Sequence, residues 1–206
     1  MGQHWAEVKS VFEALAYLVK PMGPDGIELQ FANSRELNGR EKHRKGLTKR
    51  LEKVKPNGQC QMGIALSDIL PKYYQNQRQT LSVKRTFGSP RVVEKPTVNI
   101  YILTDAVWSP GEHSLSTIKD HIAKLVNHLA AIGRPVRIGI QFIRFGNDEI
   151  GKQRLDILDN DELQHYKVPI DIVDTEPFTG NVFKMLLAST DPSWTTSPVV
   201  EKNVQS

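Results

Sequence analysis

The stretch Gly146-Asn147-Asp148-Glu149-Ile150-Gly151-Lys152-Gln153 comes within one residue of a phosphate-binding loop. Such a loop wraps backbone N–H groups around phosphates, sends its Lys to the outer phosphates and uses a following Ser or Thr to hold magnesium. Gln153 stands where that hydroxyl is needed, and Asp148 and Glu149 put negative charge where phosphate would lie. The match reads as chance, and a phosphate- or nucleotide-handling enzyme built on Gly146–Lys152 is kept as the alternative function. A second chemistry would pair Cys60, as a nucleophile, with one of His4, His43, His113, His121, His128 or His165. No local signature supports any pairing. His121 and His128 are seven residues apart on an expected helix, two turns from each other and out of reach of one shared ion. No Gly-x-Ser-x-Gly elbow, no His-Glu-x-x-His and no dinucleotide fingerprint is present. The expectation is a protein that is not an enzyme.

Charge marks one further segment. Arg35 to Lys55 holds nine Lys and Arg against three Glu, a local +6, while the rest of the chain holds 18 basic and 20 acidic residues. The whole excess therefore sits in one place. It could contact an acidic partner or nucleic acid. No aromatic residue interleaves with it to stack on bases, which argues against nucleic acid and for a solvated face.

The elements that must position these residues read as follows. A chain of 206 residues with 39% apolar and 24% charged residues makes one sizeable core. No apolar run is long enough to span a membrane. Met1 to Lys20 does not read as a signal peptide, because His4, Glu7, Lys9 and Glu13 interrupt it. Cys60 stands alone, so no intramolecular disulfide forms, which favours a reducing compartment and a cytoplasmic location. Helical spacing marks residues 4–20, Leu47 to Val54, a stretch from Met62 to Tyr73 complicated by Pro71, Leu115 to Leu129, about 148–158, and 179–188. Strand patterns mark Ile27 to Phe31, Val98 to Leu103, Val136 to Phe142 and Val168 to Val173. Residues 80–96 read as a long loop or a weak strand. Strands alternating with helices predict an α/β fold, a doubly wound, mostly parallel sheet with helices on both faces. Residues 1–190 form one domain, and 191–206, rich in Ser, Thr and Pro, a flexible tail. The chain opens on a helix, so the first central strand of such a sheet is missing, and the domain is expected to be incomplete at its N-terminus.

Several segments, in order, resemble the von Willebrand factor A (vWA) domain family, in particular intracellular vWA proteins of the fungal type. Ile100-Tyr101-Ile102-Leu103-Thr104-Asp105 is similar to the family's fourth strand, which ends in a Thr-Asp pair at the metal-ion-dependent adhesion site. Gly139 to Gly146 resembles the next strand, and Arg154 to Asp159 and Asp171 to Thr175 continue the pattern. Trp5-Ala6-Glu7-Val8 is similar to the start of the first helix, and Asp25 to Leu29 to the second strand. In the family, an Asp-x-Ser-x-Ser loop precedes that first helix. Met1 to Trp5 looks like the residues just after it.

The resemblance implies a protein-protein interaction module with a degenerate metal site. Magnesium wants hard oxygen ligands in octahedral array. The Asp-x-Ser-x-Ser loop is absent, Cys60 falls where the family has a ligating Thr, and a thiol suits magnesium poorly. Asp105 alone survives as a remnant ligand, so the implied cofactor is none, with magnesium possible only alongside an upstream strand. An unknown protein partner would then be bound at the strand ends, near Thr104 and Trp108. Trp108 sits in a loop with Ser109, Pro110 and Gly111, where it is either an exposed anchor for a partner or a cover packed over the top of the sheet.

Overall fold

A computed structural model describes residues 1–23, 25–73, 98–131, 138–159 and 172–187. The first helix, α1 (Trp5–Val19), forms because Val8, Val11, Phe12, Leu15, Ala16 and Val19 recur at helical spacing. Short 3-10 turns flank it at Gly2–His4 and Lys20–Met22, the second containing Pro21. Two short strands, β1 (Ile27–Leu29) and β2 (Gly39–Glu41), pair antiparallel with Leu29 opposite Gly39. The strand expected to reach Phe31 stops at Leu29, and the Phe31 amide donates to Asn38 Oδ1 at 2.7 Å.

The next helix, α2 (Arg44–Lys53), starts three residues earlier than its apolar residues alone indicate, and buries Leu47 and Leu51. It is followed by α3 (Met62–Ile69). Residues 71–73 are again helical, so Pro71 opens a new helical stretch instead of closing the old one.

The second half supplies β3 (Val98–Thr104), α4 (Gly111–Ala131), β4 (Ile138–Arg144), α5 (Glu149–Asp159), β5 (Val173–Pro177) and α6 (Val182–Leu187). The three strands form a parallel sheet in the order β3-β4-β5. Val98 lies beside Ile138 and Thr104 beside Arg144 on one side of β4; Ile140 lies beside Val173 on the other. Parallel neighbours need long crossovers, which the helices after β3 and β4 provide. Among the described residues the last strand runs from Val173 to Pro177, past the expected end at Val173, and the expected portion at 168–171 lies outside the described residues. The last helix begins at Val182 because Asn181 Oδ1 accepts from the Phe183 and Lys184 amides, capping it there. The expectations for 80–96 and for the tail at 191–206 also lie outside the described residues.

Two clusters flank the sheet. Ile102, Ile138, Ile140 and Phe142 pack with Ile118, Ile122 and Leu125 of α4 and Leu155 and Leu158 of α5. The alternate residues Tyr101, Leu103 and Ile143 pack with Val8 and Leu15 of α1 and Met185 and Leu186 of α6. A third cluster joins Phe12 and Ala16 of α1 to Leu29 and Leu47. Fully buried side chains such as Phe142 and Ile140 each contribute about 1.5–3 kcal/mol by leaving water. Gln141 is buried in the sheet and its Nε2 donates to Asp174 Oδ2 at 2.7 Å. A one-residue slip of β5 would separate that pair, so the pair pins the register. The result is a mixed α/β fold with a parallel sheet flanked by helices, compatible with a Rossmann-like arrangement. Among the described residues, no helix is long and apolar enough to cross a membrane.

Candidate functional site

The chain leaves the carboxyl ends of β3, β4 and β5 at residues 105–110, 145–148 and 178–181, the edge where open α/β sheets present their ligand-binding loops. The first loop is built on Thr104. Its side chain is buried, and its Oγ1 accepts from the Ala106 amide at 2.9 Å and from Trp108 Nε1 at 3.1 Å. Ala106 takes a positive φ of 57°, which turns the chain back over the strand end. Trp108 is only 3% exposed, and its ring lies 6.2 Å from that of Phe142. Neither residue is an accessible anchor for a partner: the Trp108 indole is core, and the Thr104 hydroxyl is spent holding it. Of the two readings of Trp108, the structure takes the cover over the sheet.

Arg154 supports the same loop from beneath. It is 9% exposed, and its Nη1 donates to the carbonyls of Ala106 at 3.1 Å and Trp108 at 3.4 Å. Arg154 was not singled out from the sequence, although a signal existed. Gly151, Arg154, Leu155 and Leu158 form one buried stripe of α5, and a cation on such a stripe must find acceptors inside.

Asp105 lies close enough to Cys60 to act on its thiol electrostatically. Asp105 Oδ1 accepts from the Val107 amide at 3.2 Å, and its Oδ2 is paired with the amino group of Met1. The Ser109 amide donates to the Cys60 carbonyl at 3.0 Å and Ser109 Oγ to Gln59 Oε1 at 3.0 Å, fastening the two loops to each other. Burial pushes the Cys60 thiol up to about 11; the Asp105 carboxylate adds to this and the Met1 ammonium opposes it. A thiol held in its protonated form is a poor ligand. Among the described residues, no three His, Cys, Asp or Glu side chains converge as metal ligands would. This donor set does not fit magnesium, which requires several hard oxygens.

The Gly146–Lys152 stretch is arranged for packing. Gly146 has a φ of 79° and lies against the His4 ring, with no room for a side chain. Asp148 Oδ1 accepts from the Gly151 amide at 2.8 Å, capping α5. That amide is one a phosphate would need, and a carboxylate already holds it. Gly151 itself abuts the Asp105 carbonyl, and Lys152 is exposed to solvent.

Compared with protein-family models, with curated proteins and with solved structures, the chain finds no match.

Large apolar side chains stand open at this edge, beside the exposed Asn147, Asp148, Glu149 and Asn181. Val107 follows β3 and is 49% exposed, Ile150 follows β4 at 56%, and Val182 and Phe183 follow β5 at 42% and 61%. Each follows the carboxyl end of one of the three neighbouring strands. The basic segment resolves differently. Arg35 pairs with Asp68 at 2.8 Å, Arg40 with Glu28 at 3.2 Å, and Arg50 with Glu41 at 2.6 Å while also donating to the Leu37 and Asn38 carbonyls. Desolvation would raise the Glu28 carboxyl, but Lys72, Gln30 and Arg40 hold it below its ordinary value. Three of the four arginines in the segment thus fasten the fold.

Proposed function

We propose that this chain is a protein-interaction module of the vWA type, not an enzyme, and that it grips a protein partner through apolar side chains at the carboxyl edge without a metal ion. The observation that carries the reading is that Val107, Ile150, Val182 and Phe183, large apolar side chains left in water, all follow the carboxyl ends of the three parallel strands. Apolar residues gathered at one edge, with polar surroundings, are what a docking surface needs. The resemblance of Ile100 to Asp105, and of Gly139 to Gly146, to vWA strands supports the same assignment, as does the closeness of Asp105 to Cys60.

On this reading the three parallel strands belong to a doubly wound sheet that continues past β3. Support comes from the uneven burial of the strands: β4 is buried through Ile143, whereas Val98 to Tyr101 of β3 are only half-buried. The single cysteine suits a cytoplasmic setting.

The test is proximity labelling in cells with the wild-type chain and with Val107→Asp/Ile150→Asp, matched for abundance and melting temperature. Neighbours labelled by the wild type and by a distant surface variant, Lys124→Glu, should disappear with the edge variant. Identical neighbour sets for all three chains would overturn the proposal.

A further inference from the structure

The lysines of the basic segment are placed unlike its arginines. Lys42, Lys45, Lys49, Lys53 and Lys55 are all exposed, and none is ion-paired among the described residues. Lys45, Lys49 and Lys53 follow one another at four-residue steps, so they share one face of α2, where like charges repel. Beside them, α1 and α2 enclose an open depression of about 480 Å³ lined by Glu13, Arg44, Lys45 and Thr48. The Arg44 guanidinium sits 5.6 Å over the ring of Tyr17, which is 65% exposed and is followed by the 40% exposed Leu18. The sequence shows no aromatic within the basic segment; the fold delivers one from α1.

From this juxtaposition we propose a second docking surface, on α2 and the end of α1, that takes a short acidic peptide segment of a partner protein. Carboxylates of the segment would pair with Arg44, Lys45 and Lys49, the guanidinium donating two parallel N–H bonds to one of them. An apolar residue of the segment would lie on Tyr17 and Leu18. Ten residues of helix span about 15 Å, enough for a handful of residues of extended chain. Glu13 in the depression repels the carboxylates of a peptide as it would phosphates, but it can also accept from a peptide N–H, a donor that a phosphodiester backbone lacks. One aromatic ring also offers little for successive bases to stack on. This surface is separate from the carboxyl edge, and its test does not depend on that edge.

The experiment is fluorescence anisotropy on the full chain with a short fluorescent peptide of Glu and Asp around a central Leu-Phe pair, with oligothymidine of equal charge as competitor. The wild type should bind the peptide, and Lys45→Glu/Lys49→Glu should weaken it about ten-fold or more, chiefly at low salt. Tyr17→Ala should weaken it roughly three-fold. Lys124→Glu/Lys152→Glu, which changes net charge equally elsewhere, should leave it within about two-fold. These side chains are exposed, and unchanged melting temperatures would show the variants folded. Absence of binding, or equal losses in the two double variants, would overturn the proposal. Oligothymidine binding more tightly than the peptide would assign the surface to nucleic acid instead.

Discussion

The indole Nε1 of Trp108 donates to the hydroxyl of Thr104 at 3.1 Å, so the loop leaving β3 is tied back to the last residue of its own strand. The same oxygen takes the Ala106 amide, and the ring completes the cluster around Phe142. Trp108→Ala should therefore cost about 3–5 kcal/mol of stability, the usual range for emptying a large aromatic site. Thr104→Val should cost about 1–3 kcal/mol by leaving two buried donors without an acceptor. The two share one contact, so the double variant should lose less than their sum by about 0.5 kcal/mol or more. Urea unfolding of the four chains measures all three quantities. A Trp108→Ala midpoint equal to wild type would mean that the indole stands free.

Gly151 lies in the first turn of α5, directly against the Asp105 carbonyl. Helix propensity alone favours Ala over Gly by about 1 kcal/mol. Here a methyl group would meet a backbone oxygen in a loop whose next residues are tied down by Thr104 and Arg154, so Gly151→Ala should destabilise by about 1–3 kcal/mol. Lys152→Ala, one residue on and exposed, should stay within about 0.5 kcal/mol. Thermal melts separate the two. Titration with MgATP adds a control, because a phosphate loop would make Lys152 the sensitive position for nucleotide binding, and no heat is expected from either chain.

The Cys60 thiol, pushed up to about 11, should alkylate slowly near neutrality. Its rate with iodoacetamide should rise about ten-fold per pH unit through the alkaline range, because the thiolate is the reacting species. Asp105→Asn removes a negative charge that opposes ionisation, so the thiol value falls and the reaction at fixed pH speeds up. Mass spectrometry of quenched samples reads both effects. A rate that levels off near pH 8, or a slower Asp105→Asn chain, would contradict the electrostatics described for this loop.

The elements that read most directly from the sequence are those whose pattern is set by one neighbour. Val98 to Leu103 is almost continuously apolar and Val136 to Phe142 alternates because helices pack on the sheet, and Leu115 to Leu129 keeps a helical period because one face meets the sheet. Chain order along a parallel sheet then places Asp105, Gly146 and Phe178 at one edge. Features that depend on distant partners were not legible. Whether Trp108 points in or out turns on a hydroxyl four residues back and on the positive φ of Ala106, neither of which has a periodic signature. The arginines of the basic segment look identical to its lysines until Glu28, Glu41 and Asp68 are folded against them. The extension of β5 to Pro177 has no alternating signature, because its paired residues Asp174 to Glu176 are polar.

Helix α1 has His4 just before its first residue, seated at Gly146 of the carboxyl edge, and Tyr17 near its last, beneath Arg44. At 1.5 Å per residue these points are about 20 Å apart. The helix is clamped along its length by two separate clusters, so that spacing is fixed like a gauge block. A single small ligand cannot reach both ends. Were both proposed surfaces occupied, two proteins would be held at a set distance, or one long partner measured against the helix, with the second contact strengthened by the local concentration that the first creates.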